Sequence, residues 1–116
     1  MSQTTYHITS ASQWQAAQRQ GHYEPENFAN DKFIHLSYRH QLLTVAHRFY
    51  REQSGLVILV INSSKIKDCL VEENLEGGIE LYPHCYGVLL LDAVIKAISF
   101  PCNADGSFEL PSELNI

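Results

Sequence analysis

Three histidines lie in stretches that read as extended chain: His7 in TYHIT, His35 in FIHLS and His84 in YPHC. Side chains alternate along a strand. His7 therefore shares a face with Thr5 and Thr9, His35 with Phe33 and Ser37, and His84 with Tyr82 and Tyr86. In each case the imidazole is turned away from the more apolar neighbours. Imidazole can move a proton, hydrogen-bond a hydroxyl or a phosphate, or ligate a metal. The parity predicts that His35 walls a polar cleft shared with His7, with His84 approaching from a third segment. If the first two strands are neighbours, their imidazoles should lie roughly 5 to 8 Å apart. The plain alternative, for each residue, is a half-exposed strand histidine bonded to a carbonyl.

Other chemistries find less support in the spacing. Zinc accepts three imidazoles and a water, which would make a hydrolytic centre. Here the three histidines come from distant segments. His40 and His47 lie two turns apart on one expected helix, too far for an easy chelate. His84 and Cys85 are neighbours on an extended chain and point to opposite faces. There is no GxSxG elbow for a serine nucleophile, and no GxGxxG or GxxxxGK[ST] phosphate loop. Glu72, Glu73 and Glu76 are the nearby carboxylates, and an exposed acidic strand end is their plain reading.

The elements that would position these groups follow from periodicity. Residues 5–9 read as a half-buried strand. Ser10 and Gln13 suggest a capping box for a helix closed by Gly21. Residues 22–32 read as a loop, with a turn at Ala29-Asn30-Asp31. Residues 32–36 form a short strand, and Ser37 is the expected N-cap of a helix over 38–53. LVILVI, residues 56–61, is apolar on both faces and predicts a central strand. A helical turn at 63–67, a strand near 69–73 and a turn at Gly77-Gly78 follow. Residues 79–87 are extended, with Pro83 placing them at an edge or in a loop. Residues 88–91 and 93–100 are two more strands, and the tail from Pro101 is loop with a turn at 104–106. Two helices in the N-terminal half and five or six strands indicate an α+β fold.

Length and composition set the frame. The 116 residues fit a single domain spanning 1–116, large enough to bury a core without staples. The net charge of −5 and the lack of a Lys/Arg cluster argue against a nucleic-acid backbone as the main partner. The three cysteines are far apart, with no CxxC, so free thiols and a cytoplasmic location are expected. No apolar signal-peptide core stands at the N-terminus, and no apolar run is long enough for a membrane helix.

YHIT, Trp14, FIHLS, LVEEN, and PHCYG followed by LDAV together resemble the bacterial domain-of-unknown-function family nine-five-two. The resemblance covers residues 6 to about 100. It implies an ADP-ribosyltransferase-like fold, with two small packed sheets around a cleft that holds NAD in relatives. FIHLS, the helix after it and LVILVIN are also similar to the histidine-leucine-serine segment of RNA 2′-phosphotransferases. By that resemblance His7 takes the place of a first-strand residue that bonds ribose, and His35 and Ser37 stand on the second cleft strand. The helix begun by Ser37 would offer N–H groups to an anion. Thr9, His84 and Tyr86 complete the expected ligand-binding set, with Tyr86 or Tyr82 stacking on a heterocycle. Transfer would need a glutamate, for which Glu73 is the nearest carboxylate. The phosphotransferase arginines are missing from matching positions, and Arg39 and Arg48 are only substitutes on the expected helix. The expected function is a ligand-binding cleft for NAD, ADP-ribose or another nucleotide. A non-catalytic protein-interaction module and a histidine-ligated zinc hydrolase are the alternatives.

Overall fold

The computed structural model describes residues 4–25, 28–74 and 80–114. It is an α+β fold of small antiparallel sheets. The first sheet has the order β1 (Thr5–Ser10), β4 (Leu56–Ile61) and β8 (Val94–Phe100). The second pairs β3 (Ile34–His35) and β5 (Leu70–Glu73) with a central β6 (Tyr82–Cys85). A third is a two-residue ladder of β2 (His22–Tyr23) and β7 (Leu89–Leu90). There are thus three small sheets where two were expected. The turn expected at Gly77-Gly78 lies outside the described residues.

LVILVI is central because both of its faces are buried. Leu56, Ile58 and Val60 pack into one core with Leu42, Ala46, Phe100 and Phe108. Leu59 and Ile61 pack into a second core with Ala17, Tyr23, Ile34, Leu36 and Leu89. Burying each such aliphatic side chain contributes about 1.5 to 3 kcal/mol. The first sheet is therefore the middle layer. Helix α3 (Leu42–Phe49) and the C-terminal tail cover one face. Helix α1 (Ala11–Gln20) and the two smaller sheets cover the other.

Helix α1 begins and ends where the sequence predicts. Ser10 Oγ accepts the Gln13 N–H at 3.1 Å, and Gly21 adopts φ 92° while its N–H bonds the Ala17 carbonyl at 2.8 Å. The tail from Pro101 carries the expected turn, closed by Asp105 accepting from Ser107.

Four expectations are corrected. Strand β1 is buried on both faces, because its Thr5, His7 and Thr9 side meets Tyr23 and Ser63 instead of solvent. The loop over 22–32 contains β2 and a helical turn, α2 (Phe28–Asp31). Strands of two residues carry no periodicity and exist because a partner is present. Ser37 is not a helix cap: its N–H and C=O exchange hydrogen bonds with Tyr6, each 2.8 Å. The helix after it starts later, with a 3-10 turn at Arg39–Gln41 whose Gln41 Oε1 accepts the Tyr38 N–H, and it ends at Phe49 instead of 53. Pro83 lies in a central strand, not at an edge. Its carbonyl still accepts the Leu36 N–H at 3.0 Å. Proline has no N–H to return to Leu36, so that rung of the ladder is made from one side only. Among the described residues no helix is long and apolar enough to cross a membrane.

Candidate functional site

The site begins where two strands part. Tyr6 and Ser37 are bridged antiparallel. Continuing that ladder would set Ile8 opposite His35. The chains instead diverge: the Ile8 carbonyl accepts the Tyr50 hydroxyl at 3.4 Å, and the His35 carbonyl accepts the His7 Nδ1–H at 2.6 Å. The splay opens a cavity of about 450 Å³. Its walls come from β1, the residues around β3, β6, the start of α1 and the last turns of α3.

His7 is a sealed wall. It is 7% exposed, and its Nε2 lies 2.7 Å from the Tyr23 hydroxyl, which in turn is 2.9 Å from Thr9 Oγ1. Burial is the largest influence on its pKa and pushes it down to about 4; the bond to the His35 carbonyl opposes this, and an unfavourable electrostatic interaction with His35 adds to it. His7 is therefore neutral at neutral pH. Its Nδ1 must carry the proton, since a carbonyl only accepts. Nε2 is then an acceptor facing the Tyr23 hydroxyl, which also lies within hydrogen-bond distance of Thr9 Oγ1.

His35 and His84 are directly opposed across β3 and β6. Their ring centroids are 5.3 Å apart. Parity places Ile34 and Leu36 in the core, 0% and 2% exposed, and turns His35 outward. Each of these two imidazoles has its own carboxylate. His35 Nε2 lies 3.1 Å from Asp31 Oδ2, and His84 Nδ1 lies 2.7 Å from Glu73 Oε2. Phe33 packs over both rings, stacked on His84 at 4.3 Å and tilted against His35 at 4.7 Å. That lid explains why His84 is 5% exposed although it faces the same side as His35.

Glu73 also accepts the Tyr86 hydroxyl at 2.6 Å. The bonds from Tyr86 and His84 hold its carboxyl below the usual glutamate range, and the same carboxylate pushes the Tyr86 phenol up.

The expected site residues thus divide. His7, Thr9, His35, Ser37 and His84 line one cavity, together with Tyr82. His7 meets His35 at its main-chain carbonyl, where the two strands splay. Glu73 and Tyr86 are not in the cavity lining; they stand behind His84 and act on it. Among the described residues, the carboxylate that lines the cavity is Asp31, which reads as part of a turn in the sequence. Its only local signal is its place four residues before His35, with which it pairs. Tyr23 and Arg48 also line the cavity. Nothing in the local pattern singles out Tyr23, whose role depends on β2 folding against β7. Among the described residues no group of three or more His, Cys, Asp or Glu side chains is placed to hold a metal ion.

Known structures with this architecture exist. The chain is 32% identical to protein CC0527 from Caulobacter crescentus, whose crystal structure matches with a TM-score of 0.88 over 97% of this chain and 99% of that one. The solution structure of CC0527 matches with a TM-score of 0.82, covering 95% of each chain. No curated protein matches the sequence. The pattern described as "Protein of unknown function (DUF952)" matches residues 8–97, and with these histidines and this fold the chain belongs to that family.

Proposed function

We propose that the splay between β1 and β3 is a binding cleft for a small nucleotide-like ligand. The observation that carries this reading is the cavity itself. At about 450 Å³ it falls within the size range of small-molecule sites, and it combines aromatic walls with a few convergent polar groups. Tyr82 and Phe49 offer flat faces to a heterocycle, and His35 and Arg48 offer positive or hydrogen-bonding groups to phosphate. The ADP-ribosyltransferase-like fold implied by the sequence resemblance has its NAD between two sheets, and NAD or ADP-ribose is the ligand class it suggests. Glu73 supports binding over ADP-ribosyl transfer, because its carboxylate is engaged behind His84 and is not aimed into the cleft.

The test is a thermal-shift screen of NAD, ADP-ribose, ATP, glutathione and zinc. A ligand at a hundredfold over its dissociation constant stabilises the native state by about 2.7 kcal/mol. A nucleotide shift that His35→Ala weakens supports the reading. No shift with any nucleotide at millimolar concentration rejects it.

A further inference from the structure

We infer that His35 and His84 are an acid–base pair that opens a cyclic phosphodiester on a mononucleotide, a nucleoside 2′,3′-cyclic phosphate. This rests on the nucleotide cleft proposed above and names its chemistry. Two imidazoles on one sheet face, 5.3 Å apart, each held by a separate carboxylate, form a specific arrangement. A carboxylate accepts only, so the Nδ1–H of His84 donates to Glu73 and its Nε2 keeps a lone pair. That is the tautomer of a carboxylate-oriented general base. His35 gives its Nε2–H to Asp31 and presents Nδ1 from a position 60% exposed. Both residues line the same cavity. Among the described residues, Asp31 from α2 and Glu73 from β5 bond the pair, Tyr86 reaches Glu73 from beyond β6, and Arg48 and Tyr82 line the same cavity.

Such a pair suits displacement at phosphorus by water. His84 takes a proton from the water as its oxygen bonds to phosphorus. The bond from phosphorus to the ribose 2′ oxygen breaks, and the protonated His35 gives that oxygen its proton. The product is a nucleoside 3′-phosphate, and the pair has exchanged protonation states, which solvent restores. No further reactant is needed. An alkoxide is a poor leaving group, so a positioned acid matters as much as the base, and opening a five-membered ring releases strain. A mononucleotide fits the observations better than a polymer. The cavity is of small-molecule size, and a net charge of −5 opposes a long phosphate backbone.

The experiment incubates the full chain with 2′,3′-cyclic AMP and follows the ring-opened phosphomonoester by ³¹P NMR. Binding of the same compound is followed in parallel by thermal shift. The expected result is turnover with a bell-shaped pH–rate profile. General acid–base groups contribute about 10²- to 10⁴-fold, so His35→Ala and His84→Gln should each lower kcat by that order. His35 is exposed, so its variant keeps the test open if the His84 variant fails to fold. Glu73→Gln tests positioning: it should lower kcat more than it changes KM and displace one limb of the profile. Binding without turnover overturns this inference and leaves the cleft reading intact. Absence of binding overturns both. Turnover unaffected by His35→Ala also overturns it.

Discussion

The His7 imidazole donates its Nδ1 proton to the main-chain carbonyl of His35, 2.6 Å away, at the point where β1 and β3 separate. A side chain thus satisfies a carbonyl that a continued ladder would have satisfied from the backbone. This lets two strands diverge around a cavity without leaving that acceptor orphaned, a defect that costs about 1 to 3 kcal/mol when buried.

Acid should loosen this joint. His7 titrates at about 4 in the folded protein against 6.5 in its absence of structure. The folded state therefore binds the proton more weakly than the unfolded state. The corresponding stability is fully present above pH 6.5 and falls as the pH drops towards 4. The total loss is roughly 3 kcal/mol. Urea unfolding of the native sequence and of His7→Gln, at pH 7 and pH 4.5, checks this. The variant should be less stable at pH 7 and should have a flatter pH dependence. Parallel pH curves would show that another group controls the acid sensitivity.

Tyr23→Phe should destabilise the fold by about 1 to 3 kcal/mol while leaving its packing volume nearly unchanged. The lost hydroxyl is the one that meets both His7 Nε2 and Thr9. In a double-mutant cycle with Thr9→Val, the two losses should be smaller together than their sum, since the hydroxyls belong to one network. Additive losses would mean that the chain is not coupled.

Leu36→Ala and Ser37→Ala should differ widely. Leu36 is 2% exposed within the second core, and a buried leucine truncated to alanine costs about 2 to 5 kcal/mol. Ser37 contributes its backbone to the Tyr6 bridge and caps no helix, so its variant should stay within about 0.5 kcal/mol of the parent. A Ser37→Ala loss of the size of a lost N-cap would restore the capping role.

The thiols should react in a set order. All three cysteines are free. Cys85 is 0% exposed, and burial first, then its neighbour Cys69, pushes its thiol up to about 12. Since the thiolate is the nucleophile, iodoacetamide on the native protein should label Cys69 and Cys102 well before Cys85. Mass spectrometry of timed digests gives the order, and early labelling of Cys85 would contradict the packing around it.

Tyr86→Phe should raise the Glu73 pKa, because the phenol is the first of the bonds that hold this carboxyl low. A carboxyl ¹³C NMR titration reads the direction. An unchanged midpoint would mean that His84 alone sets it.

Periodicity and local caps were enough to read several parts of this molecule. LVILVI shows no polar face, and only a strand with a core on each side can use such a run. Ser10 and Gly21 mark the ends of α1 because the groups they satisfy lie within four residues. Burying Ile34 and Leu36 must turn His35 outward, since alternation is a property of a single strand. What lay beyond local pattern was decided by partners distant in sequence. The strands β2, β3 and β7 are two residues each and exist through their pairing. Tyr23 closes over His7 from one such strand. Ser37 looks like a cap, but its backbone is claimed by Tyr6, 31 residues earlier. Glu73 and Asp31 look alike as carboxylates; the register of β5 on β6 puts the first behind His84, and the turn α2 puts the second at the cleft. A side chain's type and face are fixed by its neighbours along the chain, whereas its hydrogen-bond partner depends on which strand arrives beside it.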